Sequence, residues 1–115
     1  MNDSFNVPLK ASFGGLKAIP WIAWGSNSIG PRLILCADHV EYRLFKSRSK
    51  PYSKISRVDY RKAIGTENIV LEFNDSIATF IGNAGTQANA QAAIRLLHTK
   101  GCLLSDRASE LLLLS

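Results

Sequence analysis

Apolar and polar residues alternate through Glu67–Phe80, ENIVLEFNDSIATF, and the rest of the chain is arranged around this stretch. Ile69, Leu71 and Phe73 set against Val70 and Glu72 have the period of a half-buried strand. A second run, 77–81, follows Asn74-Asp75-Ser76, residues that tolerate the left-handed backbone of a tight hairpin turn. A two-residue turn sets Leu71 beside Ala78 and Ile69 beside Phe80. A three-residue turn sets Leu71 beside Thr79 and Ile69 beside Ile81. Both registers give an apolar face, and the pattern leaves the choice open.

Ahead of this hairpin the period of two recurs. Phe5, Val7, Leu9, Ala11 and Phe13 fall on alternate positions interrupted by Pro8, the mark of an edge strand, and Gly14-Gly15 ends it. Residues 16–24 read as a strand that puts Trp21 and Trp24 on opposite faces. A short helix begun by Pro20 would put them on one face. Turn chemistry makes 25–31 (GSNSIGP) a loop. Arg32–Cys36 is a short apolar strand and Ala37-Asp38-His39 the turn after it. Val40, Tyr42 and Leu44 then alternate with Glu41 and Arg43. Lys46–Pro51 is a basic loop, and Tyr52–Ser56 bends into a strand over 57–63. In that strand Val58 and Tyr60 face inward and Arg57, Asp59 and Arg61 face outward.

Beyond Gly82 the period becomes 3.6. Ala90, Ala93, Ile94 and Leu97 share one sector, while Gln91, Arg95 and Thr99 lie off it. Thr86 is the expected N-cap, Lys100 suits the last turn, and Gly101 is the stop. The turn Gly82–Thr86 lacks the lysine and spacing of a phosphate-binding loop. A second short helix, 106–114, follows with Ser105 as N-cap. About seven short antiparallel strands followed by a helix predict an α+β fold with a curled sheet that the helix closes.

At 115 residues with 46% hydrophobic and 20% charged residues, this is one domain with a core of its own. The uncharged run 18–31 is too short and too rich in Gly, Pro, Ser and Asn to span a bilayer. Asp3 stands where a signal peptide's basic region would be, so the cytoplasm is the expected compartment. Cys36 and Cys102 sit in apolar runs and are expected to be buried free thiols. Neither His39 nor His98 shows ligand-like neighbours at metal spacing, so no metal or other cofactor is expected.

The order of elements resembles a small bacterial domain of the pleckstrin-homology-like superfold. The resemblance is carried by PRLILCADHVEYRLF, YSKISRVDY, NIVLEFNDSIATF and AQAAIRLLHTKGCLL, from about residue 31 to 104. Residues 1–30 then supply N-terminal strands and a loop, and 105–115 a tail. The resemblance implies a bent antiparallel barrel of about seven strands capped by a C-terminal helix, in a binding or assembly module. Lipid-binding members carry a basic motif in the first strand-to-strand loop. Here that loop is Gly14–Lys17 with one charge, so the motif is absent.

Charge adds one hint. The formal net charge is +5, yet residues 43–62 hold eight cations against Asp59 alone. Lys46, Arg48, Lys50, Lys54, Arg57 and Arg61 form the candidate anion site, for phospholipid headgroups, nucleic acid or an acidic protein. The plainer alternative is a solvated strand face and loop. The nine acidic residues are scattered and no nucleophile motif is present, so the chain is not expected to be an enzyme. A non-catalytic binding or assembly module is the leading expectation. Leu111, Leu112, Leu113 and Leu114 ring a helix completely and need cover on more than one side, which predicts a homo-oligomer. Trp21 or Trp24, whichever faces out, would join the same patch.

Overall fold

The alternating segments build two antiparallel sheets. A computed structural model of the protein describes residues 4–16, 23–27 (backbone path only), 30–43 and 46–114. Among these residues the strands are β1 (Phe5–Asn6), β2 (Ala11–Leu16), β3 (Ala23–Asn27), β4 (Arg32–Leu35), β5 (His39–Arg43) and β6 (Ser47–Pro51), then β7 (Ile55–Ala63), β8 (Thr66–Phe73) and β9 (Ala78–Asn83). A 3-10 turn, Tyr52–Lys54, joins β6 to β7, and the helices α1 (Gln87–Thr99) and α2 (Asp106–Leu111) follow β9. The strand orders are β1-β4-β5-β6 and β3-β2-β9-β8-β7. This is an α+β fold, but the nine strands do not join into the closed seven-stranded barrel that the resemblance implied. The N-terminal segment instead divides between the sheets. Val7 N–H donates to Leu33 O in the first, and three residues later Lys10 N–H donates to Asn83 O in the second.

Several boundaries differ from the sequence expectations. β1 lies at the edge of its sheet as expected, whereas β2 lies between β3 and β9 and runs through Gly14 and Gly15. Those glycines lie opposite Phe80 and Thr79 of β9. β3 takes in Gly25, Ser26 and Asn27, part of the expected loop, whereas residues 17–22 and Leu44 lie outside the described residues. The basic segment 47–51 is the edge strand β6, paired with β5 from His39↔Pro51 to Arg43↔Ser47. Its lack of apolar residues hid it, since an exposed charged edge needs none. The central hairpin takes neither expected register: Leu71 pairs with Phe80 and Glu72 with Thr79. Asn74 N–H donates to Lys54 O and its side-chain amide to Ser53 O, tying the longer loop to the 3-10 turn.

The core lies between the sheets and α1. Leu33, Leu35, Val40 and Tyr42 face Ile69, Leu71, Phe73 and Phe80. The Tyr42 ring stacks on Phe73 at 5.3 Å and tilts against Phe80 at 5.2 Å, joining the sheets. A Cβ on Gly82 would meet the Leu9 side chain and the Phe80 ring at 3.0 Å, so any larger residue there must push those side chains aside.

α1 follows its sequence pattern. Ala90, Ala93, Ile94 and Leu97 are its buried residues, Thr86 Oγ1 accepts from Asn89 N–H, and Gly101 ends it at φ +94°. Leu97→Ala should therefore destabilise by about 2–5 kcal/mol through lost burial and a residual cavity. Arg95→Ala, on the exposed face, should stay within about 0.5 kcal/mol. Urea unfolding of both variants checks this, and equal losses would contradict the helix phase.

Candidate functional site

Alternation along β7 puts Arg57, Asp59 and Arg61 on the face away from the main core. Asp59 is nevertheless completely buried, which corrects its expected outward, solvated position. Residues 103–105 cover the free edge of β7. Val58 N–H donates to Leu103 O, and Ser105 N–H donates to Val58 O, in parallel. Ser105 then caps α2, its hydroxyl accepting from Ala108 N–H and donating to Asp59 Oδ1 at 2.6 Å. Tyr60 N–H donates to the same oxygen at 2.8 Å, and Arg107 Nη2 donates to Oδ2 at 2.7 Å.

Burial alone would raise the Asp59 pKa, but these three donors and the Arg107 charge outweigh it and hold the carboxyl below its usual value. Arg57 and Arg61 each place a nitrogen 3.9 Å from Oδ2. Arg57 is also held by Glu72 at 2.7 Å. Three guanidiniums thus surround one buried carboxylate. Arg61 is the least satisfied: its Nε is buried with no hydrogen-bond partner among the described residues. Burial depresses its pKa, the Asp59 and Glu72 charges oppose that, and the charges of Arg107 and Arg57 add to it, leaving a net lowering.

Beside this cluster lies an open groove of about 510 Å³ between β7 and α2. Arg61, Lys62 and Arg107 supply its positive charge, and Tyr60, Leu111 and Leu114 its apolar wall. Gln87 and Glu110 complete the lining. Tyr60 donates its hydroxyl to Glu67, and burial, then that bond, push its pKa to about 12. The groove thus offers apolar contact beside three cations, each of which also has a carboxylate within 3.9 Å.

The six expected anion-site residues do not share one surface. Lys46 and Lys54 are exposed, and Arg48 and Lys50 lie on β6. Lys50 is committed to Asp75 at 2.6 Å and sits over the Phe73 ring at 4.6 Å. Only Arg57 and Arg61 lie in the second sheet, and only Arg61 of the six lines the groove. Arg107, lying far along the chain from β7, was missed. The one signal for it was Ser105 as a cap, which fixes where α2 begins.

The leucine tail is not one helix. α2 stops at Leu111, which is buried, and Leu112 packs against the core. Gln91 Nε2 donates to Leu111 O and Leu114 O, pinning the tail to α1. Leu113 and Leu114 remain exposed at 84% and 54%. Trp21 lies outside the described residues, as does the side chain of Trp24.

A second cluster gathers at the β4–β5 turn. His39 Nδ1 lies 2.6 Å from Asp38 Oδ1, and its Nε2 lies 3.0 Å from Glu41 Oε2. Cys36 Sγ lies 3.9 Å from the same Glu41 oxygen. Cys36 is half-buried, whereas Cys102 is buried as expected, with its thiol pushed up to about 11. The expectation that His39 lacks ligand-like neighbours is corrected, because the turn folds three donors together.

The buried carboxylate predicts an acid response. Asp59→Ala should cost about 3–5 kcal/mol near neutral pH, since it leaves charged and polar donors unmet. The native pKa is lowered, so its contribution is complete above the unfolded value of about 4 and is lost as pH falls through the native one. Asp59→Asn should therefore show a shallower loss of stability below about pH 4 than the parent, read by urea unfolding across pH. Parallel curves would contradict the assigned role.

No family model matches the chain, and no curated protein matches it.

Proposed function

We propose that the protein is a non-catalytic binding module that takes an acidic segment of a protein partner in the groove between β7 and α2. The groove's pairing of Arg61, Lys62 and Arg107 with an apolar wall carries this reading; Arg61 is half-buried, and its Nε has a 3.9 Å contact to Asp59 but no hydrogen bond among the described residues. The apolar wall of Tyr60, Leu111 and Leu114 supports a peptide with an apolar side chain over a bare phosphate polymer. The α+β order of two sheets followed by a C-terminal helix is compatible with a pleckstrin-homology-like module. No helix among the described residues is long and apolar enough to cross a membrane.

A fluorescent peptide of alternating Glu and Leu, vesicles rich in phosphatidylserine, and a single-stranded oligonucleotide form the test set. The peptide should bind at low salt and weaken steeply by about 0.15 M. Arg61→Gln or Arg107→Gln should weaken it about tenfold or more, and Lys46→Gln should leave it unchanged. Circular dichroism verifies that each variant is folded. Binding of vesicles or oligonucleotide alone would replace the peptide reading by the anionic-surface alternative. No binding to any probe at low salt would overturn both.

Exposure of Leu113 and Leu114 favours a second reading, self-association through the tail. Light scattering after size exclusion should then give a dimer that Leu113→Ser converts to monomer. A monomeric parent at high concentration would remove this reading.

A further inference from the structure

The β4–β5 turn holds a constellation that the groove does not use. Cys36 N–H donates to His39 O at 2.9 Å, closing a hairpin whose two loop residues are Ala37 and Asp38. Leu35 and Val40 are the next pair, and Ile34 and Glu41 the one after. Residues directly opposed in an antiparallel pair share a face, as do residues two apart along one strand. Cys36, His39 and Glu41 therefore all project to the same side, opposite the buried Leu35, Val40 and Tyr42. Pairing alone brings a thiol, an imidazole and a carboxylate together.

We infer that Cys36, His39 and Glu41 bind a divalent transition-metal ion, with zinc the best match. A tetrahedral ion with bonds of about 2.3 Å to sulfur and about 2.0 Å to nitrogen and oxygen sets its ligand atoms roughly 3.3–3.6 Å apart. The observed separations of 3.0 Å (His39 Nε2 to Glu41 Oε2) and 3.9 Å (Cys36 Sγ to Glu41 Oε2) bracket that range. All three donor atoms lie within 4.8 Å of one another. Small side-chain rotations on a rigid hairpin bring them onto one ion. A thiolate and a carboxylate neutralise the dication, and the sulfur and nitrogen donors select zinc over calcium or magnesium.

Asp38 completes the arrangement from outside. Its Oδ1, 2.6 Å from His39 Nδ1, accepts that N–H, so an ion that displaces the proton between Nε2 and Glu41 would take the Nε2 lone pair, the carboxylate–histidine–metal relay. The turn itself is braced. Lys100 Nζ donates to Ala37 O at 2.9 Å, and the Tyr52 hydroxyl donates to Cys36 O at 2.6 Å. All three ligand residues are half-buried, which leaves the fourth tetrahedral position to water.

The test titrates Co2+ into the full chain after chelator treatment, with a phosphine reductant. One equivalent should produce the visible ligand-field bands of tetrahedral cobalt and a near-ultraviolet sulfur-to-cobalt band, both bleached by one equivalent of Zn2+. Cys36→Ser should abolish the sulfur band, and Cys102→Ala should keep it. His39→Gln and Glu41→Gln should each weaken Co2+ binding at least tenfold. Asp38→Asn should weaken it by about ten- to a hundredfold with the sulfur band retained. No sulfur band in the folded parent, or an equal band in Cys36→Ser, would overturn the site. If Cys36→Ser does not fold, unchanged affinity in both His39→Gln and Glu41→Gln would do the same.

Discussion

A carboxylate with no access to water must be met by donors, and the Asp59 carboxylate is met from three places along the chain. Its own neighbour Tyr60 supplies a backbone N–H, Ser105 a hydroxyl, and Arg107 a guanidinium. Leaving such a charge unmet costs several kcal/mol, so the position of Asp59 in β7 dictates where Ser105 and Arg107 must lie. Ser105 serves twice, since the hydroxyl that donates to Asp59 also caps α2. The start of the last helix is thus fixed by a side chain of β7. The groove inherits its charge from the same cluster, because Arg61 and Arg107 approach Asp59 and also line the cavity.

The two sheets are held together by contacts other than a shared hydrogen-bond ladder. Crossing of the N-terminal segment from β4 to β9 links them covalently, and Ser12 Oγ adds a bond to Arg43 O of the opposite sheet. Tyr42 packs on Phe73 and Phe80 across the gap, and Lys50 spans from the edge strand β6 to Asp75 in the β8–β9 turn. The edges that a barrel would join are managed separately. β7 is covered by residues 103–105, and β6 is blunted by Arg48 and Lys50. An open pair of sheets satisfies the same apolar pattern that a closed barrel would, which is why the pattern did not separate them.

What the sequence revealed and what it hid divide along the range of the interactions. α1 was legible to the residue, since its stripe, cap and stop are all local signals within one helix. Ser105 was legible for the same reason. The hairpin register was not, because the loop length depends on Asn74 bonding to Ser53 and Lys54, about twenty residues away. Asp59 carries an outward phase in its strand, and only the return of the chain 46 residues later buries it. The β6 strand has no apolar alternation to betray it. The Cys36–His39–Glu41 cluster was readable in principle. A two-residue turn puts those positions on one face, whereas a three-residue turn Ala37-Asp38-His39 separates them.

The same distinction explains the charge. Eight cations among residues 43–62 look like one electropositive surface in the sequence. In the fold, acids from the central hairpin meet several of them: Asp75 takes Lys50, Glu72 takes Arg57, and Glu67 lies 3.7 Å from Lys62. Lys46, Arg48 and Lys54 stay in water, where an ion pair contributes about 0–1 kcal/mol and is screened by salt. Count is therefore a poor guide to where an anion would bind. Arg61 differs because its guanidinium is partly withdrawn from water, its Nε makes no hydrogen bond among the described residues and lies 3.9 Å from Asp59, and two further guanidiniums are near it. Coulomb attraction strengthens as the effective dielectric falls, for the Asp59 carboxylate already beside Arg61 as much as for any other anion. Arg61 is the half-buried cation of the basic run that lines the groove.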